Sequence, residues 1–373
     1  MRVLVAPDKF RGTLTAEEAC RAIEAGWVRA RPGDSVVSMP MADGGEGTLD
    51  ALLAGAGTGG RRRRARVTGP LGDAVEADYG LILSRDGVTA VIEMARASGL
   101  DLVSEARRNA LRSTTRGTGE LILSACREGA ERMVVCIGGS ATTDGGAGMA
   151  QALGARLLDA EGREIGQGGA ALLDLARVDT GGLDPVLNGL RVSVAADVDN
   201  PLVGPYGAAH VYAPQKGASH DDVLLLDRAL GHFAAVLHRD LGVDLRHVPG
   251  AGAAGGLGAG LIVFLGARLR PGVEVVIEAL GLRERIAQTD LVITGEGRFD
   301  EQSLRGKAPA GVISAARDVG IETLVVCGAT EIHPEDLRVF SLAERFGSER
   351  ALGDARRALE DLALELASAR ADT

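Results

Sequence analysis

The sequence predicts an α/β protein of two lobes. One is a parallel Rossmann- or flavodoxin-like sheet domain built from both ends of the chain; the other is a second, mixed α/β domain inserted between them. Three observations predict this. Short apolar runs alternate with helical patterns at both ends, as in "RVLVA", "DSVVSMPM", "TDLVITGEG" and "ETLVVCG". The middle instead holds "AVEADYGLIL" and "VTAVIEMA", spaced as an antiparallel pair. The hydrophobic share is 46% but the aromatic share only 3%, so the core is aliphatic, as parallel strands covered by helices require. A length of 373 residues suits two domains. The expected bounds are 1–62 with 284–373 for the parallel domain and 63–283 for the insert, with 116–150 assignable to either.

The elements follow in order. After the first strand, Pro7 to Leu14 is a loop, and Thr15-Ala16-Glu17-Glu18 is a capping box that opens a helix to about Ala30. The second strand opens into Ala42-Asp43-Gly44-Gly45-Glu46-Gly47, and a helix follows. Arg61 to Arg64 read as a solvated linker or as part of the field that draws an anionic substrate. The antiparallel pair turns at Ser84-Arg85-Asp86-Gly87. A helix from about Gly119 precedes an apolar run, Met133 to Ile137, that opens into "GGSATTDGG". Leu190 to Ala196 is a strand, His210 to Tyr212 a short one, and Asp222 to Arg239 a helix. "AGAAGGLGAGLIVFLGA", 251–267, is a buried helix entered through a glycine loop, too short and too closely flanked by charge to span a membrane. Helices at Val273–Leu280 and Lys307–Val319 bracket the strand "TDLVITGEG". The chain closes on an amphipathic helix whose stripe, Leu352, Ala355, Leu359, Leu362 and Leu366, packs on the domain or allows a homodimer.

Net charge is −10 and no aromatics interleave the arginines, which disfavours nucleic acid as a partner. The four cysteines form no CxxC pair and read as buried reduced thiols, so a cytoplasmic location is expected. The N-terminal apolar run is too short for a signal peptide. No histidine spacing suits zinc, and no G-x-S-x-G elbow is present. Neither G-x-x-x-x-G-K-[ST] nor G-x-G-x-x-G occurs intact: Gly306-Lys307 is followed by Ala308.

Four strand ends open into polar, glycine-rich loops: Pro7-Asp8-Lys9, Asp43 to Glu46, Gly138 to Gly146, and Gly295 to Asp300. Ligands of open parallel sheets bind beyond such ends, and amides at a following helix start favour anions. Carboxylates recur in the loops of the chain, namely Asp8, Asp43, Glu46, Asp144, Asp197, Asp199, Glu296 and Asp300. Cations join them: Lys9, Arg11, Lys216, Arg298 and Lys307. Carboxylates for magnesium together with cations for phosphate are what phosphoryl transfer needs.

Taken together, "APDKFRGTLTAEEA", "PMADGGEGTLDAL", "IGGSATTDGGAGMAQALGA", "ADVDNPLVGPYGAAHVYAPQKGAS" and "DLVITGEGRFDEQSLRGKAP" resemble the type-1 glycerate kinase family, in the same order and over essentially the whole chain. The resemblance implies an ATP-dependent kinase of D-glycerate that uses Mg2+, with 2-phosphoglycerate favoured over 3-phosphoglycerate. On that footing the two substrates are expected to meet in a cleft between the lobes. Asp8, Lys9, Asp197 and Glu296 are the catalytic candidates. Asp8, Asp197 and Glu296 are open between base and metal ligand, and Asp144 joins Asp197 and Glu296 as a metal candidate. Asp43, Gly44, Gly45, Glu46, Gly139, Ser140, Thr142, Thr143, Asp144, Lys216, Arg298, Asp300 and Lys307 are expected to bind substrate or phosphate. Two competing readings are a dinucleotide oxidoreductase, weakened by the broken G-x-G-x-x-G, and a non-catalytic hydroxy-acid binding protein, which would not need metal carboxylates.

Overall fold

The computed structural model describes residues 1–84 and 87–370. Its strands are β1 (Arg2–Val5), β2 (Ser35–Ser38), β3 (Gly60–Thr68), β4 (Ala74–Ser84), β5 (Gly87–Glu93), β6 (Ala130–Cys136), β7 (Arg156–Leu158), β8 (Arg177–Asp179), β9 (Arg191–Ala195), β10 (Arg268–Arg270), β11 (Leu291–Phe299), β12 (Thr323–Thr330) and β13 (Arg338–Ser341). The chain divides into two units. Met1–Asp43, Asp50–Thr58 and Pro271–Thr373 form the first; Gly44–Leu49 and Gly59–Arg270 form the second.

The first unit is built on a five-stranded sheet of order β13-β12-β11-β1-β2, with every pair parallel. Counted within the unit, that is the flavodoxin-like order, 2-1-3-4-5. Its switch point lies between β1 and β11, where connections leave in opposite directions and open a crevice at the carboxyl ends. The capping box forms as the sequence suggests. Thr15 N–H donates to Glu18 Oε2 at 2.9 Å, and Glu18 N–H returns to Thr15 Oγ1 at 3.2 Å, opening the helix Ala16–Ala30.

That helix packs on the C-terminal helix Ala355–Ser368 through Ile23, Trp27, Leu359 and Leu362. The approach is so close that a Cβ on Gly26 would lie 2.0 Å from the Glu360 carbonyl oxygen. The C-terminal stripe is therefore covered within its own unit, and only Leu352 stays well exposed. The single closing helix that the stripe suggests is two, Ser348–Gly353 and Ala355–Ser368, broken at Asp354.

The second unit holds a mixed sheet of order β10-β9-β6-β5-β4-β3. Strands β3, β4 and β5 run antiparallel, while β5, β6, β9 and β10 run parallel. A two-stranded β7-β8 ribbon accompanies it. The arginine run is no linker. Arg61 to Arg64 lie in β3, the edge strand, where Arg64 Nε pairs with Asp78 on the facing strand at 2.6 Å and Arg63 Nε with Glu128 at 2.7 Å. Charged side chains on an edge discourage pairing with another chain, which gives the run a structural purpose.

The segment expected as a strand at His210–Tyr212 is instead part of the helix Ala208–Tyr212. Gly207 opens it and Ala208 and Ala209 are buried on it. Of the predicted turn 84–87, Arg85 and Asp86 lie outside the described residues; Ser84 and Gly87 face each other across β4 and β5.

The glycine-entered helix Ala253–Leu265 starts with three left-handed residues, Ala254 (φ 53°), Gly255 (φ 69°) and Gly256 (φ 89°). A side chain on Gly255 would meet the Thr142 carbonyl oxygen at 1.9 Å, and Gly145 N–H donates to Gly255 O at 3.0 Å. The glycines thus exist so that two backbone loops can touch. Among the described residues no helix is long and apolar enough to cross a membrane.

Candidate active site

In the first unit, the switch point gathers the polar loops that leave β1, β2 and β11. Ala6 N–H donates to Ile293 O at 2.7 Å and Asp8 N–H to Gly295 O at 2.8 Å, which carries the sheet pairing up to the carboxylate. Met41 N–H donates to Pro7 O at 2.9 Å and brings the exit of β2 alongside. Asp8 is buried, and its Oδ1 accepts from Lys9 N–H at 2.7 Å. Burial first, then the charge of Asp43, pushes Asp8 up to about 7. A carboxylate poised there can accept a proton near neutral pH.

Glu296, inside β11, is also buried, and its Oε1 has no hydrogen-bond partner. Burial raises its affinity for a proton, while Ser303 and Lys307 act the other way. Lys307 Nζ stands 3.9 Å from Glu296 Oε2 and 3.7 Å from Asp300 Oδ1. Asp300 itself caps the following turn, accepting from the amides of Gln302 (2.9 Å) and Ser303 (3.1 Å). Lys307 precedes the helix Ala308–Asp318, which starts with no side-chain cap. Its first-turn amides and Lys307 together favour an anion. Arg298 is exposed and paired with Glu331. Among the described residues no three acidic, His or Cys side chains form a metal cage by themselves.

In the second unit, the loop after β6 is held by an internal network. Thr142, Thr143 and Asp144 are fully buried. Asp144 Oδ2 accepts from Thr115 N–H (2.8 Å), Thr115 Oγ1 (2.9 Å) and Gly148 N–H (3.2 Å), and Oδ1 accepts from Gly146 N–H (3.0 Å). Both oxygens are taken by the protein's own donors. Asp144, expected as a metal or substrate ligand, fastens the loop to the start of the helix Arg116–Arg127 through these bonds.

Lys216 is likewise 1% exposed, and its Nζ donates to Thr142 O at 2.5 Å. Burial pulls it down to about 7, with Asp144 opposing. That bond braces the loop from inside. The hydroxyls of Thr142 and Thr143 are buried without partners, whereas Ser140 lies nearest the surface of the three, at 8% exposure. Asp197 is exposed just beyond β9, the parallel neighbour of β6. Glu46 is exposed, and Gly44 and Gly45 lie in the same short loop of this unit.

The expected residues thus form two sets. Asp8, Asp43, Glu296, Asp300 and Lys307 belong to the first unit; Gly44 to Glu46, Gly139 to Asp144, Asp197 and Lys216 belong to the second. Sequence reasoning missed Thr115, the partner of Asp144. It also passed over a sharper signal: in a chain with 41 basic residues, lysine occurs only at 9, 216 and 307, each in one of these loops. Replacing Asp144 with Ala would strand three amides and a hydroxyl in the interior. We expect a loss of roughly 3 kcal/mol or more of stability, read as a lower denaturant midpoint. An unchanged midpoint with weakened metal affinity would instead support Asp144 as a metal ligand.

The chain matches the model of the glycerate kinase family over residues 3–371. It is 51% identical to the glycerate 2-kinase of Escherichia coli (strain K12) over 329 residues, 88% of this chain and 85% of that one. It is also 51% identical to a glycerate kinase of Halalkalibacterium halodurans over 327 residues, with the same coverage. A crystal structure from Salmonella typhimurium LT2, assigned as glycerate kinase 2, superposes with a TM-score of 0.90 at 44% identity, covering 100% of this chain and 98% of the other. With its motifs, its two sheets and its full-length match in agreement, this chain belongs to the glycerate kinase family.

Proposed function

We propose that this chain transfers the γ-phosphoryl group of ATP to the 2-hydroxyl of D-glycerate, giving 2-phosphoglycerate and ADP. The observation that carries the reading is the pair of buried carboxylates, Asp8 and Glu296, at the switch point of the parallel sheet, with Lys307 3.9 Å from Glu296. The 2-position is supported by the Escherichia coli relative, which is named a glycerate 2-kinase. Four buried free thiols support the cytoplasm as its compartment.

Asp8 is the proposed general base. Burial holds its proton affinity near neutrality, so it takes the hydroxyl proton as the substrate oxygen bonds to the γ-phosphorus. The bond from that phosphorus to the bridging oxygen breaks, and its electron pair leaves on ADP. Lys307 and the open amides of the helix Ala308–Asp318 take phosphate oxygens. Lys9 adds positive charge beside Asp8, and Arg298 is a further cation of the same loops. In the second unit, Ser140 and the amides of Gly44, Gly45 and Gly139 are donors of the kind a carboxylate or phosphate accepts, and we assign them to anion binding. Asp43, Glu46 and Asp197 remain the acidic groups of these loops.

The unpartnered Oε1 of Glu296 is a hard, buried oxygen and fits a divalent cation. Glu296 would hold Mg2+ together with phosphate oxygens and water, which is how magnesium commonly binds when the protein offers few ligands. When bound, Mg2+ neutralises charge on the phosphate oxygens.

Incubation with D-glycerate, ATP and Mg2+, followed by phosphorus and proton NMR, tests the regiochemistry. We expect the 2-phosphate; accumulation of 3-phosphoglycerate would contradict the assignment.

The Asp8 role has its own test. A base must be deprotonated to act, so kcat/KM should rise with pH through about 7. Asp8→Asn should abolish that rise and lower kcat by about a hundredfold or more. The folded protein keeps the Asp8 proton to a higher pH than the unfolded chain. The contribution of Asp8 to stability is thus fully present below 3.8 and lost as pH rises to about 7. Asp8→Asn should accordingly melt above the wild type at pH 8, with the difference shrinking toward pH 4. A variant with a wild-type pH profile would remove Asp8 as the base.

A further inference from the structure

The loop Gly44–Gly47 leads into the helix Thr48–Gly55, and its position depends on a residue far away in sequence. Glu93, the last residue of β5, is 5% exposed. Its Oε1 accepts from Gly47 N–H at 3.0 Å and from Leu49 N–H at 2.9 Å. Its Oε2 accepts from Arg96 Nε at 2.7 Å. One buried carboxylate therefore meets two amides at the helix start and a guanidinium.

Two consequences follow. The amides of Gly47 and Leu49 are already occupied by an anion of the protein itself, so a substrate anion must use other donors of this loop. The loop is also fixed at its far end. Thr48 Oγ1 donates to Gly45 O at 2.7 Å, and Gly47 takes φ 91°, a left-handed turn that suits glycine. Gly44–Leu49 groups with the second unit, although Asp43 before it and Asp50 after it group with the first. The Glu93 bonds tie this short segment to the end of β5.

We propose that Glu93 is a positioning residue of the kinase: through Gly47 and Leu49 it sets where Gly44, Gly45 and Glu46 present their donors and charge. This rests on the assignment of that loop to anion binding. Glu93 touches no substrate in this account and acts only through the loop.

The test is steady-state kinetics of full-length Glu93→Ala, Glu93→Gln and Glu46→Gln, with ATP and D-glycerate each varied. An inactive fraction lowers kcat but cannot move KM, so KM is the informative readout. We expect Glu93→Ala to raise KM for one of the two substrates at least tenfold and to leave the other within about twofold. Glu93→Gln keeps an acceptor oxygen for the two amides and should recover the affected KM to within about fivefold of the wild type. Both KM values unchanged in Glu93→Ala, beside a Glu46→Gln that has lost affinity, would overturn the proposal and leave the loop's assignment standing. Both unchanged in Glu46→Gln as well would overturn the proposal and leave the Glu46 carboxylate without a part in binding. If Glu93→Ala does not fold, Glu93→Asp, one methylene shorter, gives the same decision. Amide hydrogen exchange of wild-type Gly47 and Leu49 supplies a check without any variant: slow exchange is expected, and exchange at the rate of open loop amides would overturn the tether.

Discussion

The first unit turns on one electrostatic constraint: two carboxylates, Asp8 and Glu296, are held out of water at the place where a parallel sheet reverses its direction of connection. Burial of a charge is unfavourable unless something answers it. The chain answers incompletely. Lys307 stands 3.9 Å from Glu296, Lys9 N–H bonds Asp8, and Glu296 Oε1 is left with nothing. A structural ion pair would have been closed by the fold itself. The proposed phosphoryl transfer would use an arrangement left open to a cation and to a proton, because its work is positioning and charge neutralisation. The sheet makes the arrangement affordable by pairing β1 with β11 right up to Asp8, through Ala6 and Asp8 amides on Ile293 and Gly295.

The second unit handles Asp144 and Lys216 in the opposite way. Asp144 is buried more completely than Asp8, yet four donors surround it, and Lys216 reaches a main-chain carbonyl. Buried polar groups that are satisfied in this manner specify a backbone path. Here the path is the glycine loop after β6, pressed against the left-handed turn Ala254–Gly256. Glu93 does the same for the loop before the helix Thr48–Gly55. The conspicuous acidic and basic residues of these loops therefore differ in hydrogen-bond saturation, and the proposed division between chemistry and scaffolding follows that difference.

That division explains how much was legible in the sequence. Strand ends opening into glycine loops pointed to most segments of both sets as candidates, and the Thr15–Glu18 box, the buried helix and the alternation at both termini gave the α/β class. Roles were not legible. Asp8 and Asp144 each stand in a polar loop at a strand end, and nothing local says that Thr115, 29 residues from Asp144, supplies its donors. Arg61 to Arg64 looked like a linker because charge hides the period-2 signal of a strand, while pairing with β4 is a long-range fact. The run at His210 had strand-like residues, but helix burial of Ala208 and Ala209 prevailed. Glu93 stands inside the apolar run "VTAVIEMA", and nothing local points to its partners at Gly47 and Leu49.

The most direct measurement of the central claim is a calorimetric titration of Mg2+·ATP into the wild type and into Glu296→Gln. If the open oxygen of Glu296 receives the cation, the variant should bind Mg2+·ATP at least tenfold more weakly, while its affinity for metal-free ATP stays close to that of the wild type. Equal affinity of the two proteins for Mg2+·ATP would contradict the account and move the metal away from the switch point.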